Sequence, residues 1–422
     1  MVWVIGLMKQ VFISIVFGLT VEGLAISKLN NRGAAPGLMG NFFDKRSTPG
    51  VLSLELYVNR NHDDSNFTIG PHFVVNEYSK RDDYISVELY NEQVTYSANI
   101  TVGSNSQKQN VIVDTGSSDL WVVDSSANCQ EKSGYSSDYC FSGGTYDPSS
   151  SSTIQELGKS FNIRYGDGSS SSGTWVKDTV GINGAIILNQ QFGDVNSTSV
   201  SQGILGIGLD TNESTDTIYE NVPINLKEQG FINTNAYSLY LNAPSATSGT
   251  IIFGGIDHAK YTGSLTTLPL TSNREFTIQT NSATVGTSTI DINTGLLLDS
   301  GTTLTYLPQS VVDSIANAIG GDITYNRPIG AYIWSCNRNG KVTYNFPQGL
   351  NIDIPYSDLA VPLYYSNGAV AGFCALGILY GENFNILGDN FLRHAYVVYN
   401  LDALTISLAP VVYTSDSNVT IV

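Results

Sequence analysis

Apolar and polar positions alternate along this chain in short runs. From about residue 93 the sequence breaks into segments rich in β-branched and aromatic residues, bounded by Gly, Asn, Asp or Ser. They include "QVTYSANITVG", "KQNVIVDTG", "SFNIRYGDGSSSSGTWVKDTVGI", "GAIILNQQFG", "AYSLYLN", "GTIIFGG", "TIDINTGLLLDSG" and "HAYVVYNLDALTISLAP". Runs of this length and punctuation predict strands joined by turns, hence an all-β fold class. Helices are expected to be few and short. The clearest is 308–319, "PQSVVDSIANAI", where Val311, Val312, Ile315 and Ile319 share one face and Pro308 suits the first turn. That face is expected to pack on the core.

Two aspartates interrupt apolar runs. Asp114 lies in "VIVDTGSSDLW" and Asp299 in "LLLDSGTTLTYL", and burying a lone carboxylate is costly unless it is hydrogen-bonded or protonated. The two are related by repetition: Asp114-Thr115-Gly116-Ser117-Ser118 recurs as Asp299-Ser300-Gly301-Thr302-Thr303, 185 positions later. Downstream, "GILGIG" (203–208) answers to "NILGDN" (385–390), at spacings of 92 from Asp114 to Gly206 and 89 from Asp299 to Gly388. Two motifs in the same order at nearly equal spacing imply two homologous β-rich lobes, read as 82–257 and 258–422, each contributing one aspartate to a central cleft.

A two-fold relation between such lobes sets Asp114 and Asp299 face to face. Gly116 and Gly301 then allow a tight turn and close approach of a substrate, and the hydroxyls of Ser117 and Thr302 can donate to the carboxylates. Thr115, Ser300 and Thr303 are expected beside them on the substrate side. Two ionised carboxylates about 3 Å apart repel by roughly 5 kcal/mol at an effective dielectric of 20, so the pair shares one proton. A carboxylate and a carboxylic acid flanking one water make a matched base and acid for hydrolysing a peptide bond without metal or covalent intermediate.

Charge and compartment fit this chemistry. Residues 1–25 read as a secretory leader, carried by "MKQVFISIVFGLTVEGLA" (8–25) with Met8 as an alternative start; no membrane anchor is expected. The dibasic pairs Lys45-Arg46 and Lys80-Arg81 precede a change of character. Taking Asp82 as the mature start leaves 12 Lys and Arg against 31 Asp and Glu, a net charge of −19, while 26–81 carries seven basic and five acidic residues. A mildly basic segment ahead of an acidic body fits a pro-segment that inhibits its own chain and is released on acidification. Acidity of this degree argues against nucleic-acid binding. Four cysteines in a secreted chain allow three pairings; Cys129–Cys140 and Cys336–Cys374 are favoured because each closes a local loop. Sequons stand at Asn66, Asn99, Asn196, Asn212 and Asn418. With only His258 and His394 after residue 81 and no H-E-x-x-H, no metal or other cofactor is expected; His394 reads as a strand residue.

The motifs "DTGS", "DSGT" and the two hydrophobic-hydrophobic-Gly repeats resemble those of pepsin-type aspartic proteases, and within them the fungal secreted candidapepsins, from the leader to about residue 410. The resemblance implies a bilobal all-β fold with a β-hairpin flap, Asp114 and Asp299 as catalytic pair, and a pro-segment ending at Lys80-Arg81. It makes Tyr165 in "RYGDGS" the flap's aromatic tip, Gly166 and Asp167 its substrate-facing backbone, and Trp121 the hydrogen-bond partner of that tyrosine. Pepsin has threonine where Asp167 stands, so its specificity is not transferred. "Tyr-Gly-Asp-Gly" is also a turn signal in its own right, and a loop of that kind can close over an extended protein or peptide substrate. Ile112 and Tyr165 would line an apolar pocket favouring large hydrophobic residues beside the cleaved bond. A monomer is expected. The rivals are an inactive binding protein on the same scaffold, which should have damaged one motif, and a secreted β-rich wall lectin, which does not explain a duplicated Asp-Gly turn.

Overall fold

The computed structural model describes residues 52–57, 85–91, 95–131, 136–327, 329–364, 370–382 and 384–422. The leader, Lys45-Arg46, Lys80-Arg81 and Asn66 lie outside the described residues. Strands dominate and fall into a fourteen-stranded sheet, a seven-stranded sheet, a four-stranded sheet and a two-stranded ribbon. Strand Leu52–Tyr57 pairs antiparallel with Ser248–Phe253 inside the large sheet.

Repetition in the sequence becomes repetition of strand pairing. In the first half, Gln107–Asp114 runs parallel to Ile204–Gly206, with Asp114 opposite Gly206. In the second, Ser288–Leu298 runs parallel to Ile386–Leu387, and the Asp299 amide donates to the Leu387 carbonyl at 3.1 Å. Each hydrophobic-hydrophobic-Gly motif is therefore a short strand laid beside the one that delivers an aspartate. Its glycine is required by close approach: a Cβ on Gly206 would stand 2.7 Å from the Ser118 nitrogen, and one on Gly388 would strike the Thr302 and Leu304 carbonyls.

The large sheet crosses between the halves. Ala236–Tyr240 pairs with Ala395–Asn400, Tyr237 opposite Tyr399, so one apolar core continues beneath both aspartates. Tyr237 and Tyr399 stack at 4.9 Å and Phe276 lies 4.8 Å from Tyr399. All three are fully buried, and each contributes about 1.5–3 kcal/mol by leaving water.

Helices are short, as the pattern implied. The helix Gln309–Ile319 begins one residue later than expected, with Pro308 as its N-cap rather than in its first turn. Pro308 has no N–H to offer but its carbonyl accepts from Val311 and Val312, which is the half-in geometry of a cap. Val311, Val312, Ile315 and Ile319 are buried. His394 sits just before the strand Ala395–Asn400 rather than within it, with Nε2 2.9 Å from the Asp358 carboxylate and Nδ1 3.1 Å from the Tyr413 hydroxyl. Both disulfides, Cys129–Cys140 and Cys336–Cys374, form, the pairing favoured among the three possible. Closing loops of 11 and 38 residues limits the unfolded chain and is worth about 3 kcal/mol for each bridge.

Candidate active site

Asp114 is the last residue of the strand Gln107–Asp114 and Asp299 directly follows the strand Ser288–Leu298; both are nearly enclosed, at 6% and 7% exposure. Each loop then makes the same bonds. The Gly116 amide donates to Asp114 Oδ1 at 2.8 Å and the Ser117 hydroxyl donates to Oδ2. The Gly301 amide donates to Asp299 Oδ1 at 2.8 Å and the Thr302 hydroxyl to Oδ2 at 2.6 Å. A Cβ on Gly301 would collide with Asp114 Oδ1 while standing 3.2 Å from Asp299 Oδ1, so both carboxyls border one point. A Cβ on Gly116, whose amide holds Asp114, would likewise stand 2.6 Å from Asp299 Oδ1. Burial, and then the neighbouring Asp114 charge, hold the Asp299 carboxyl well above the ordinary carboxylate range. The pair thus holds a proton that a lone exposed carboxyl would release.

The hydroxyls of Thr115 and Ser300 bond across the two loops. They are 2% and 1% exposed. The Thr115 hydroxyl donates to the Leu298 carbonyl at 2.8 Å and accepts from the Ser300 amide at 2.9 Å; the Ser300 hydroxyl donates to the Val113 carbonyl at 2.9 Å and accepts from the Thr115 amide at 3.1 Å. Each loop grips the backbone of the other. The hydroxyls are needed beneath the carboxyls because the loop amides there would otherwise be buried without partners. Thr303 is half-exposed, its carbonyl accepting from the Asn390 amide.

Over the first aspartate stands a hairpin, Gln155–Arg164 and Ser170–Ile182, turning at 165–169. The Tyr165 amide donates to the Ser169 carbonyl at 2.9 Å, and Gly168 takes φ +86°, a region open to glycine. Asp167 Oδ1 accepts from the Ser169 amide and hydroxyl, bracing the turn. Trp121 Nε1 donates to the Tyr165 hydroxyl at 2.7 Å, and Ile112, Trp121 and Tyr165 belong to one apolar cluster. Burial and the nearby Asp114 keep the phenol protonated. Across the tip, Gly166 faces the Phe384 ring of the other half, 3.9 Å from where its Cβ would be. Among the described residues no group of three or more His, Cys, Asp or Glu could hold a metal ion.

Known proteins carry the same pattern. The model of the eukaryotic aspartyl proteases matches residues 95–411. The chain belongs to the eukaryotic aspartyl protease family. It is 49% identical over 376 residues to candidapepsin-3 of Candida albicans, covering 88% of this chain and 93% of that one. It is 47% identical over 428 residues to secreted aspartic protease 8 of the same yeast, covering 99% of both.

Within this aspartyl protease a second carboxyl pair lies outside the cleft. Asp194 and Asp124 are 8% and 9% exposed, and Asp194 Oδ1 has no hydrogen-bond partner. Burial, Asp124 and Glu156 push Asp194 from 3.8 up to about 7. Its folded-state value is raised, so the native chain keeps a proton the unfolded chain has released, and stability falls as pH rises from 3.8 through about 7. The slope is up to about 1.4 kcal/mol per pH unit. Asp194→Asn should unfold at the wild-type temperature in acid and at a higher one near neutrality. Parallel melting curves across pH would exclude this role. The run "QQFGDVNST" carries no hint of the pair, because its partner comes from a separate strand.

Proposed function

We propose that this chain is a secreted aspartic endopeptidase that hydrolyses proteins at acid pH. The observation that carries the reading is the mirrored pair of loops, which deliver two buried carboxyls to one point and leave a proton with them. The ionised member of the pair takes a proton from a shared water as that water attacks the scissile carbonyl. The protonated member donates to the carbonyl oxygen, and a proton is then returned to the leaving nitrogen. Holding the two reactants in place removes much of the entropic barrier. An extended peptide lies beneath the flap and pairs its backbone with the exposed Gly166 and Asp167, with Trp121 steadying Tyr165.

Ile112, Trp121 and Tyr165 favour a large apolar side chain beside the cleaved bond. Secretion is supported by the leader-like N-terminus and by relatives whose names describe them as secreted. Among the described residues no helix is long and apolar enough to cross a membrane. Residues 26–81 act as an inhibitory pro-segment ending at Lys80-Arg81, ahead of lobes 82–257 and 258–422, and the mature enzyme is a monomer. Purified mature protein should cut an unfolded protein at acid pH, be blocked by a peptide mimic bearing a hydroxyl at the scissile position, and yield products profiled by mass spectrometry with large hydrophobic residues at the new ends. Glycan binding with the protein left uncut would sink the enzymatic reading; cleavage confined to paired basic residues would sink the specificity.

A further inference from the structure

The two aspartate loops match in kind, acid, hydroxyl, glycine and two hydroxyls, until their sixth position, where the first has Asp119 and the second has Leu304. Asp119 is fully buried. Both of its oxygens are taken by a single segment, 209–221: Oδ2 accepts from the Ser214 amide and Oδ1 from the Tyr219 hydroxyl, both at 2.8 Å. The same segment reaches back along the catalytic loop. Asn212 Nδ2 donates to the Gly116 carbonyl at 3.3 Å, the Ser118 hydroxyl donates to the Leu209 carbonyl, and Asn221 Nδ2 donates to the Ser118 carbonyl at 3.5 Å. Gly116 and Ser117 are the residues whose amide and hydroxyl hold Asp114. The segment 209–221 is therefore one of the supports that fix Asp114, beside the Ile207 and Gly208 amides and the Ser300 grip.

At the centre of that segment stands Glu213, 7% exposed. Its Oε2 accepts from the Tyr219 amide at 2.9 Å, while Oε1 has no partner. The groups that face it are acidic: Asp119 from the catalytic loop, and Asp210 and Glu220 from its own segment. A buried carboxylate in such company is costly, whereas a neutral carboxylic acid is not. Tyr219 links the two acids, amide to Glu213 and hydroxyl to Asp119, and its ring packs on Trp175 at 5.4 Å, which packs on Phe161 of the flap's first strand at 4.7 Å.

We propose that Glu213 is a positioning residue for the catalytic loop: as an uncharged acid it seats Tyr219 against Asp119, and charging it releases 209–221 from Gly116 and Ser118. Backbone amides hold both loops, Gly208 donating to the Ser117 carbonyl at 2.8 Å in the first and Asp389 and Asn390 to the Thr302 and Thr303 carbonyls in the second; only the first adds a buried acid, since Leu304 stands where Asp119 would be. Burial, Asp119, Asp210 and Glu220 push Glu213 up to about 9. The clamp is therefore complete in acid and is lost as pH rises through that value.

Glu213→Ala should lower kcat at acid pH by roughly tenfold with KM little changed, and Glu213→Gln, neutral and of the same shape, should restore kcat to within about twofold of wild type. Amide exchange of 209–221, followed in the wild-type mature enzyme from acid to alkaline pH, should show this segment opening before the rest of the large sheet. In Glu213→Gln the opening should move up by about one pH unit or more. Loss of activity as a readout rests on the proteolytic reading of Asp114 and Asp299; exchange does not, and so separates failure of the clamp from failure of that reading. Glu213→Ala with wild-type kcat, or a segment that opens only with the whole sheet, would overturn the proposal. So would an opening that Asp194→Asn moves and Glu213→Gln does not. Should both Glu213 variants fail to fold, the wild-type exchange profile decides alone.

Discussion

Asp299→Asn should fold and be dead. Its expected loss in kcat is roughly 10³-fold or more, about 4 kcal/mol of transition-state stabilisation. The reason is the proton. Asp299 is held well above the ordinary carboxylate range by burial and by Asp114, so in acid the pair carries both a donor and an acceptor. An amide fills the same space but neither releases nor takes up that proton. Folding should survive, because Asn keeps an oxygen for the Gly301 amide or the Thr302 hydroxyl and removes a like-charge interaction. The check is kcat of purified variant beside its melting temperature. Turnover within a few-fold of wild type, in a preparation free of wild-type enzyme, would place the chemistry elsewhere. An enzyme that melts well below wild type would show instead that Asp299 is chiefly structural. The same pair fixes the sign of the pH response: activity should fall as pH rises through the raised Asp299 value, since the acid is then lost.

Much of this site is readable before any coordinates. Asp114 and Asp299 stand out because charge in an apolar run is costly and because each is followed by the same small residues at the same offsets. The short strand signals, the flap turn and the local disulfides are legible because their causes lie within a few dozen residues. Other features depend on contacts that no local pattern encodes. Thr115 and Ser300 are expected beside the substrate, but nothing local tells that their hydroxyls bond the Leu298 and Val113 carbonyls of the opposite loop. Only the two-fold relation, followed through to backbone positions, could have found them. The pairing of Tyr237 with Tyr399 joins strands far apart in sequence, so the halves of the repeat are not the boundaries of the sheet. In the sequence Glu213 is only the middle residue of the Asn212 sequon. A signal did exist for its partner: aligning the two loops shows Asp119 opposite Leu304, and an acid where its repeat has leucine asks for a reason.

Gly116→Ala should cost about two orders of magnitude in kcat/KM by adding one methyl group. Gly116 is not in the left-handed region, so backbone freedom is not its purpose. Space is: a Cβ there would stand 2.6 Å from Asp299 Cγ and Oδ1, well inside van der Waals contact. Something must shift, and the Asp299 carboxyl is held by Gly301 and Thr302 while the Gly116 loop is held by Asp114, Asn212 and the Ser300 grip. Either the carboxyls part or the loop is displaced, and in both cases one water no longer reaches both. Gly301→Ala acts on the same contact from the other side, since its Cβ would strike Asp114 Oδ1. The two losses should therefore not add. Once either methyl has separated the pair, the second has little left to remove, and the double variant should lie within about tenfold of the worse single one. Affinity for a hydroxyl-bearing transition-state mimic should fall in step with kcat/KM, because that hydroxyl takes the place of the shared water. Losses that multiply, or a Gly116→Ala enzyme with near-normal kcat/KM, would mean that the two carboxyls act at separate points rather than on one.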